Sequence, residues 1–231
     1  KRWNDGNDQD GLRPDSITVN LLADGEVVAS ESITPDGDGN WNYTFADLPK
    51  FKAGAEIGYT IAENSIEGYQ TGITGSMADG FVITNTRTPD QTSVSGVKTW
   101  DDAKNQDGLR PVSILITLYA DGEAVDTRTV TEADQWSWSF TGLPQRSGGV
   151  DIVYTIGESD LLDAEGNAVE VYTTKINGYN ITNSYTPETV DVSGSKIWDD
   201  DNNRDGLRPE SITINLLADG VWKDSSVVTP D

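Results

Sequence analysis

The chain has 231 residues, a formal net charge of −23, no His and no Cys. So acidic a surface repels nucleic acid and anionic membranes. Without Cys or His there are no disulfides, no thiolate chemistry, no Ser-His or Cys-His nucleophile pair and no ordinary zinc site. No apolar run approaches the roughly 18 residues of a membrane-spanning helix, and no signal peptide or sorting signal is visible, so the chain reads as a slice of something longer. Hydrophobic residues make up 35%, which suffices for small sandwiches with thin cores. Abundant Gly, Asp, Asn, Ser and Thr, with no long helical period, predict an all-β chain with many turns.

The chain opens on Lys1-Arg2-Trp3, the tail of a segment that returns as Val94–Trp100 (VSGVKTW) and Val192–Trp198 (VSGSKIW). Read as a strand, Val94, Gly96, Lys98 and Trp100 share one face. That face is apolar, which puts a lysine where lysines seldom go. A buried ammonium needs a partner or gives up its proton.

An acidic loop follows each Trp and ends in GLRP, at Gly11, Gly108 and Gly206, steps of 97 and 98 residues. Arg13, Arg110 and Arg208 are expected to pin this loop to nearby carboxylates. Setting Gly11 at the sixth position of an EF-hand loop leaves Gly6 at the first position and Ile17 at the twelfth. That spacing fails for calcium, and an Asx-rich turn is the better reading. Next comes a strand of period two, Ile17/Val19/Leu21, repeated as Ile114/Ile116/Leu118 and Ile212/Ile214/Leu216. An Ala-Asp-Gly hairpin turn at Ala23, Ala120 and Ala218 closes it.

An aromatic strand is predicted at Trp41/Tyr43/Phe45 and Trp136/Trp138/Phe140, with these residues in the core rather than on a sugar-binding platform. The turn Asp36–Asn40 precedes the first of them. A further strand carries Ile57/Tyr59/Ile61 and Ile152/Tyr154/Ile156 inward. A less regular segment leads to the last strand, Phe81–Thr86 or Tyr179–Tyr185.

Self-similarity therefore divides the chain into module one (1–88), module two (92–187) and the opening of module three (190–231), joined by short Pro-containing linkers. About seven short strands per module predict tandem immunoglobulin-like β-sandwiches, strung as beads on a semi-rigid rod.

The inward faces also carry polar residues. Parity leads from Ile156 to Glu158 and from Ile181 to Asn183, and in module one from Ile61 to Glu63 and from Ile83 to Asn85. With Lys98 and Lys1 this makes two Lys/Glu/Asn sets, with Lys-to-Asn separations of 85 and 84 residues. A desolvated lysine is a nucleophile, and the Asn side-chain carbonyl is its target. A buried carboxyl can sit protonated, polarise the amide and pass protons to the leaving ammonia. The product is an isopeptide bond, formed once per module, which makes the chain no turnover enzyme and calls for no cofactor or metal. The plainer alternatives are a lysine that snorkels to the rim and a Glu that is only its salt-bridge partner.

These motifs — VSGVKTW, GLRP, YTIGE at Tyr154–Glu158 with YTIAE at Tyr59–Glu63, and NITNS at Asn180–Ser184 with VITNT at Val82–Thr86 — resemble the Cna B-type repeats of Gram-positive collagen adhesins and pilins. The resemblance covers essentially all of the chain. It implies a reversed immunoglobulin-like sandwich with an intramolecular Lys–Asn isopeptide bond, carried over to Lys98, Asn183 and Glu158 and to Lys1, Asn85 and Glu63. Module one departs in lacking residues before Lys1, which clips its first strand. Module three departs further, since Lys196 is present without a Glu or Asn partner: if the molecule ends at Asp231, residues 190–231 are expected to be mobile or to borrow strands, and if they are ordered as a normal module opening the missing strands come from further chain or a partner. Trp222 is peculiar to that module and is expected on the surface.

The reading that follows is a structural stalk of a monomeric, extracellular, cell-wall-anchored adhesin, whose immediate partners are its own neighbouring modules. The rival is a binding module whose loops grip a host extracellular matrix component. Near-identical loops across the repeats favour the spacer. A glycoside-cleaving enzyme would need a distinct carboxylate pair, and none stands out from the acidic surface.

Overall fold

A computed structural model of the chain describes residues 1–229. Alternation of β-branched and aliphatic residues with polar ones sets the strands, because successive side chains point to opposite faces. Module one contains β1 (Arg2–Asn4), β2 (Ile17–Ala23), β3 (Glu26–Ile33), β4 (Phe51–Lys52), β5 (Ala55–Glu56), β6 (Tyr59–Glu63), β7 (Gln70–Ser76) and β8 (Gly80–Thr86). Module two contains β9 (Gln91–Asp101), β10 (Ser113–Ala120), β11 (Glu123–Thr131), β12 (Ser137–Pro144), β13 (Arg146–Ser147), β14 (Val150–Asp151), β15 (Tyr154–Leu162), β16 (Thr173–Asn177) and β17 (Asn180–Ser184). Beyond them lie β18 (Ile212–Ala218) and β19 (Val221–Val228). The one helical turn among the described residues is a short 3₁₀ segment, Glu132–Asp134.

Modules one and two are each a sandwich of two sheets. In module two the order β12-β9-β17-β16 faces β11-β10-β15, and in module one β1-β8-β7 faces β3-β2-β6. Period-two strands feed one core apiece. Ile114, Ile116 and Leu118 of β10 are fully buried against Val94, Trp138, Phe140 and Ile181. Ile17, Val19 and Leu21 do the same with Trp41, Ile61 and Ile83. Each such aliphatic side chain contributes roughly 1.5–3 kcal/mol on burial.

The strand that matters most is β9. It runs antiparallel to β12 and parallel to β17, with Lys98 opposite Ile181 and Trp100 opposite Asn183. Gly96 permits this close approach. A Cβ there would lie 1.7 Å from the Tyr179 carbonyl oxygen and 2.7 Å from the Trp138 ring. In module one the corresponding strand is β1, again parallel to the last strand, with Trp3 opposite Asn85.

Modules one and two belong to one compact unit, Lys1–Pro187. Their junction is a defined contact. The Gly149 amide donates to the Gln9 carbonyl at 3.1 Å. The Asp10 carboxylate accepts from Arg87 Nε at 2.9 Å and from the Asp90 amide at 3.0 Å, while Arg87 Nη2 also donates to Asp90 at 3.0 Å.

A second unit begins at Glu188. Its hairpin β18–β19 is antiparallel, and its Ile214, Leu216 and Val227 remain 48%, 39% and 67% exposed. Among the described residues of this unit, the inward row of β18 thus has no second sheet over it. Trp222 is exposed, as expected. Pro230 and Asp231, the end of the predicted third module, lie outside the described residues.

Three expectations need correction. Trp41–Phe45 is extended core packing but not a strand, because no long first strand lies alongside it to complete a ladder. The strand β12 starts one residue after Trp136, whose φ is 53°, although the indole packs against the core and Trp100 as its parity predicts. The segment judged less regular contains β7 and β16, which pair antiparallel with the last strands. Their Gly, Thr and Lys content hides a solvent-facing edge strand.

Candidate functional site

In module two, sheet geometry brings three polar side chains into the core. Lys98 is 6% exposed and Asn183 is 0% exposed, and the Lys98 and Glu158 side chains are each 0% exposed. Lys98 Nζ lies 2.8 Å from Glu158 Oε1, a buried ion pair. The other carboxylate oxygen, Oε2, accepts from Asn183 Nδ2 at 2.8 Å and from the Thr174 hydroxyl at 3.0 Å. One carboxylate therefore touches both the lysine and the amide. Asn183 Oδ1 is buried with no hydrogen-bond partner among the described residues.

Module one repeats the lysine–carboxylate pair, but its asparagine makes no hydrogen bond to the carboxylate. Lys1 Nζ donates to Glu63 Oε1 at 2.6 Å, with both side chains 0% exposed. Thr71 donates to Glu63 Oε2 at 2.9 Å. Asn85, the ladder partner of Thr71, is fully buried, and neither its Oδ1 nor its Nδ2 has a hydrogen-bond partner among the described residues. Leaving such groups unmet costs roughly 1–3 kcal/mol apiece.

Burial dominates the lysine electrostatics. Desolvation pulls Lys98 down to about 8, against the opposing pull of the Glu158 carboxylate. Lys1 moves the same way for the same reason, with Glu63 opposing. A lowered lysine holds more of the neutral amine, the form that attacks a carbonyl. The snorkelling alternative does not describe these side chains, since both run inward and are closed off from water.

Lys196 stands apart. It is exposed, and its Nζ donates to the Ile197 carbonyl at 3.1 Å. Residues 190–231 contain no counterpart of the Glu or Asn strand for it to meet.

Sequence parity missed two features. Thr71 and Thr174 sit on the strands it did not recognise, β7 and β16. Each lysine also lies over the indole two residues on, Lys1 over Trp3 and Lys98 over Trp100, at 4.3 Å from the ring centroid in both modules. The Lys-x-Trp spacing carried that signal, because residues two apart on a strand share a face.

Among the described residues, no group of His, Cys, Asp and Glu is arranged to hold a metal ion, and no helix is long and apolar enough to cross a membrane.

The family model of the Cna protein B-type domain matches residues 1–86, 94–184 and 192–231. A collagen adhesin of Staphylococcus aureus is 43% identical over 221 residues, covering 95% of this chain, which spans 18% of that relative's length. The crystal structure of two B repeat units of the collagen-binding protein of Staphylococcus aureus aligns with a TM-score of 0.55 at 41% identity, covering 99% of this chain and 59% of that one. A single B repeat unit of the same protein aligns at 40% identity and a TM-score of 0.38, covering 80% of this chain and 95% of that one. Three matches in tandem account for nearly every residue, and the chain belongs to the Cna protein B-type domain family of surface adhesins.

Proposed function

We propose that the chain is a run of stalk modules from an extracellular, cell-wall-anchored adhesin. In this reading modules one and two are each closed by an intramolecular isopeptide bond, Lys1 to Asn85 and Lys98 to Asn183. The observation that carries it is the single buried carboxylate in contact with both reactants, Glu158 between Lys98 and Asn183.

The chemistry balances within the site. Glu158 takes a proton from the Lys98 ammonium and leaves a neutral amine. The amine attacks Asn183 Cγ, and the protonated carboxyl stabilises the developing oxyanion. The carboxyl then passes its proton to the amide nitrogen, the C–N bond breaks and ammonia departs. The new amide nitrogen sheds its remaining extra proton to the carboxylate. Oxidation states do not change, so no external reagent is required. The reaction also removes the stranded Nδ2 donor of Asn85 from the core of module one.

A mechanical role follows from the topology. Lysine lies near the start of each module and asparagine near its end, on adjacent parallel strands. Load entering on β9 crosses the bond and leaves on β17, so the 84 residues between Lys98 and Asn183 bear none of it. Treated like a disulfide, closing such a loop stabilises the module by about 4–5 kcal/mol. Single-molecule pulling from both ends of the chain tests the role. Module two should show no unfolding step, and Lys98→Ala should release on the order of 280 Å of new extension. Wild-type extension equal to that of Lys98→Ala would refute it.

A further inference from the structure

The lysine half of the site has a support that the crosslinking triad does not include. In module two Lys98 Nζ lies 4.3 Å, and Arg110 Cζ 5.7 Å, from the centroid of the same Trp100 ring. Arg110 is held in turn by both oxygens of Asp102, Nε to Oδ2 at 2.8 Å and Nη2 to Oδ1 at 2.6 Å. Asp102 is 1% exposed, and its Oδ1 also accepts the Asn105 amide at 2.8 Å. The Asn105 side chain closes the loop by accepting the Arg110 amide at 2.8 Å.

The loop between them is strained. Ala103, Lys104 and Asn105 have φ of 51°, 63° and 61°, a left-handed run that L-residues seldom adopt. Such a run persists only where its surroundings over-determine it, and here the Asp102 carboxylate does so.

The same device occurs in all three repeats. Module one has Lys1 at 4.3 Å and Arg13 at 5.6 Å from the Trp3 centroid, with Arg13 forked on Asp5 at 2.8 and 2.6 Å. In the third repeat Lys196 lies 4.4 Å and Arg208 5.6 Å from the Trp198 centroid, with Arg208 Nε on Asp200 at 3.0 Å. That third copy has neither Glu strand nor Asn strand, and its lysine is exposed, yet the geometry differs by only 0.1 Å at the lysine. The arrangement is therefore specified by one short contiguous segment, Lys98–Arg110 in module two, and not by the closed core.

We infer that Asp102 and Arg110, with Asp5 and Arg13 in module one, are positioning residues that fix the indole carrying the lysine, so that the nucleophile is presented before the strands bearing Glu and Asn arrive. A lysine stem has four flexible carbons, and holding a nucleophile in its attack geometry is a large part of rate. This inference rests on the isopeptide reading given above.

The test follows crosslinking during cell-free synthesis of the full chain, with timed acid quenching and the mass of the Lys98–Asn183 linked fragment as readout. Module one in the same molecule is the internal clock. Arg110→Gln should slow module two by about tenfold to a hundredfold without changing module one. Arg110→Lys, which keeps the charge but loses the fork, should recover part of that rate. Arg110→Gln crosslinking at the wild-type rate would overturn the inference. Wild-type chain that never loses ammonia would instead refute the isopeptide reading. In that event, or if Arg110→Gln fails to fold, the third repeat decides. The side-chain Hε protons of Lys196 should be ring-shifted upfield by Trp198 and return to coil positions in Arg208→Gln. Coil positions already in the wild type would overturn the brace.

Discussion

Lys98 and Asn183 stand one inward step apart on neighbouring parallel strands: Lys98 is the ladder partner of Ile181, and Asn183 that of Trp100. The register of Trp3 with Asn85 repeats this in module one. A lysine reaches diagonally along such a ladder, and the Glu carboxylate of the facing sheet meets it there.

This relationship predicts the outcome of moving the lysine by one residue. A one-residue shift transfers a side chain to the other face of the sheet. The double variant Lys98→Thr/Thr99→Lys should therefore fold without a crosslink in module two, while module one still loses its ammonia. Fragment masses check this, and a fragment linking the relocated lysine to Asn183 in the double variant would contradict it.

Glu158→Gln separates the chemistry from the shape. The amide cannot take and return the proton, a contribution typically worth about 10²–10⁴ in rate. It also leaves Lys98 buried without a counter-charge, and breaking a buried pair in this way costs about 3–5 kcal/mol. Module two of this variant should be uncrosslinked and should melt below the uncrosslinked Asn183→Ala variant, in which the pair survives. Calorimetry alongside fragment mass measures both, and equal melting of the two variants would count against the buried pair.

The loop carboxylates predict an acid limb. The Arg110 fork holds Asp102 at about 2, against 3.8 when unfolded, and Arg13 does the same for Asp5. As pH falls through this window the unfolded chain takes up the proton first, so stability declines. The contribution is fully present above 3.8 and disappears as pH passes below about 2. Asp102→Asn should melt lower at neutral pH and lose less stability between those pH values than the wild type. Parallel acid limbs in the two proteins would refute the assignment.

The junction between modules one and two makes a separate prediction. A Cβ on Gly11, whose φ is +66°, would lie 2.5 Å from Gly149 Cα. Gly11→Ala should break the backbone bond from Gly149 to Gln9 and leave each core intact. Hydrogen exchange should then speed up at the Gly149 amide while Val19 and Ile116 stay protected. Unchanged protection at Gly149 would show that the junction tolerates the methyl group.

Much of the site was legible because a strand has a strict period. Parity alone put Lys98, Glu158 and Asn183 on buried faces, and repetition at a fixed offset made the assignment twice. What parity could not supply was contact between distant segments. Tyr172 donates to Asp102 at 3.0 Å from 70 residues away, out of a stretch whose composition concealed β16. The junction was hidden for the same reason, since Gly148-Gly149 turns the β13–β14 hairpin just as Ala53-Gly54 turns β4–β5 in module one, and nothing local marks it as a contact. Parity put Trp136 on the core side correctly, but its left-handed backbone starts the strand one residue later than the alternation suggested.

The most direct test of the central claim is the intact mass of the folded, untreated chain under denaturing conditions. Closure of both modules predicts a mass below that of the sequence by two molecules of ammonia, reduced to one in Lys98→Ala and in Asn183→Ala. A folded chain with the full sequence mass would contradict the account.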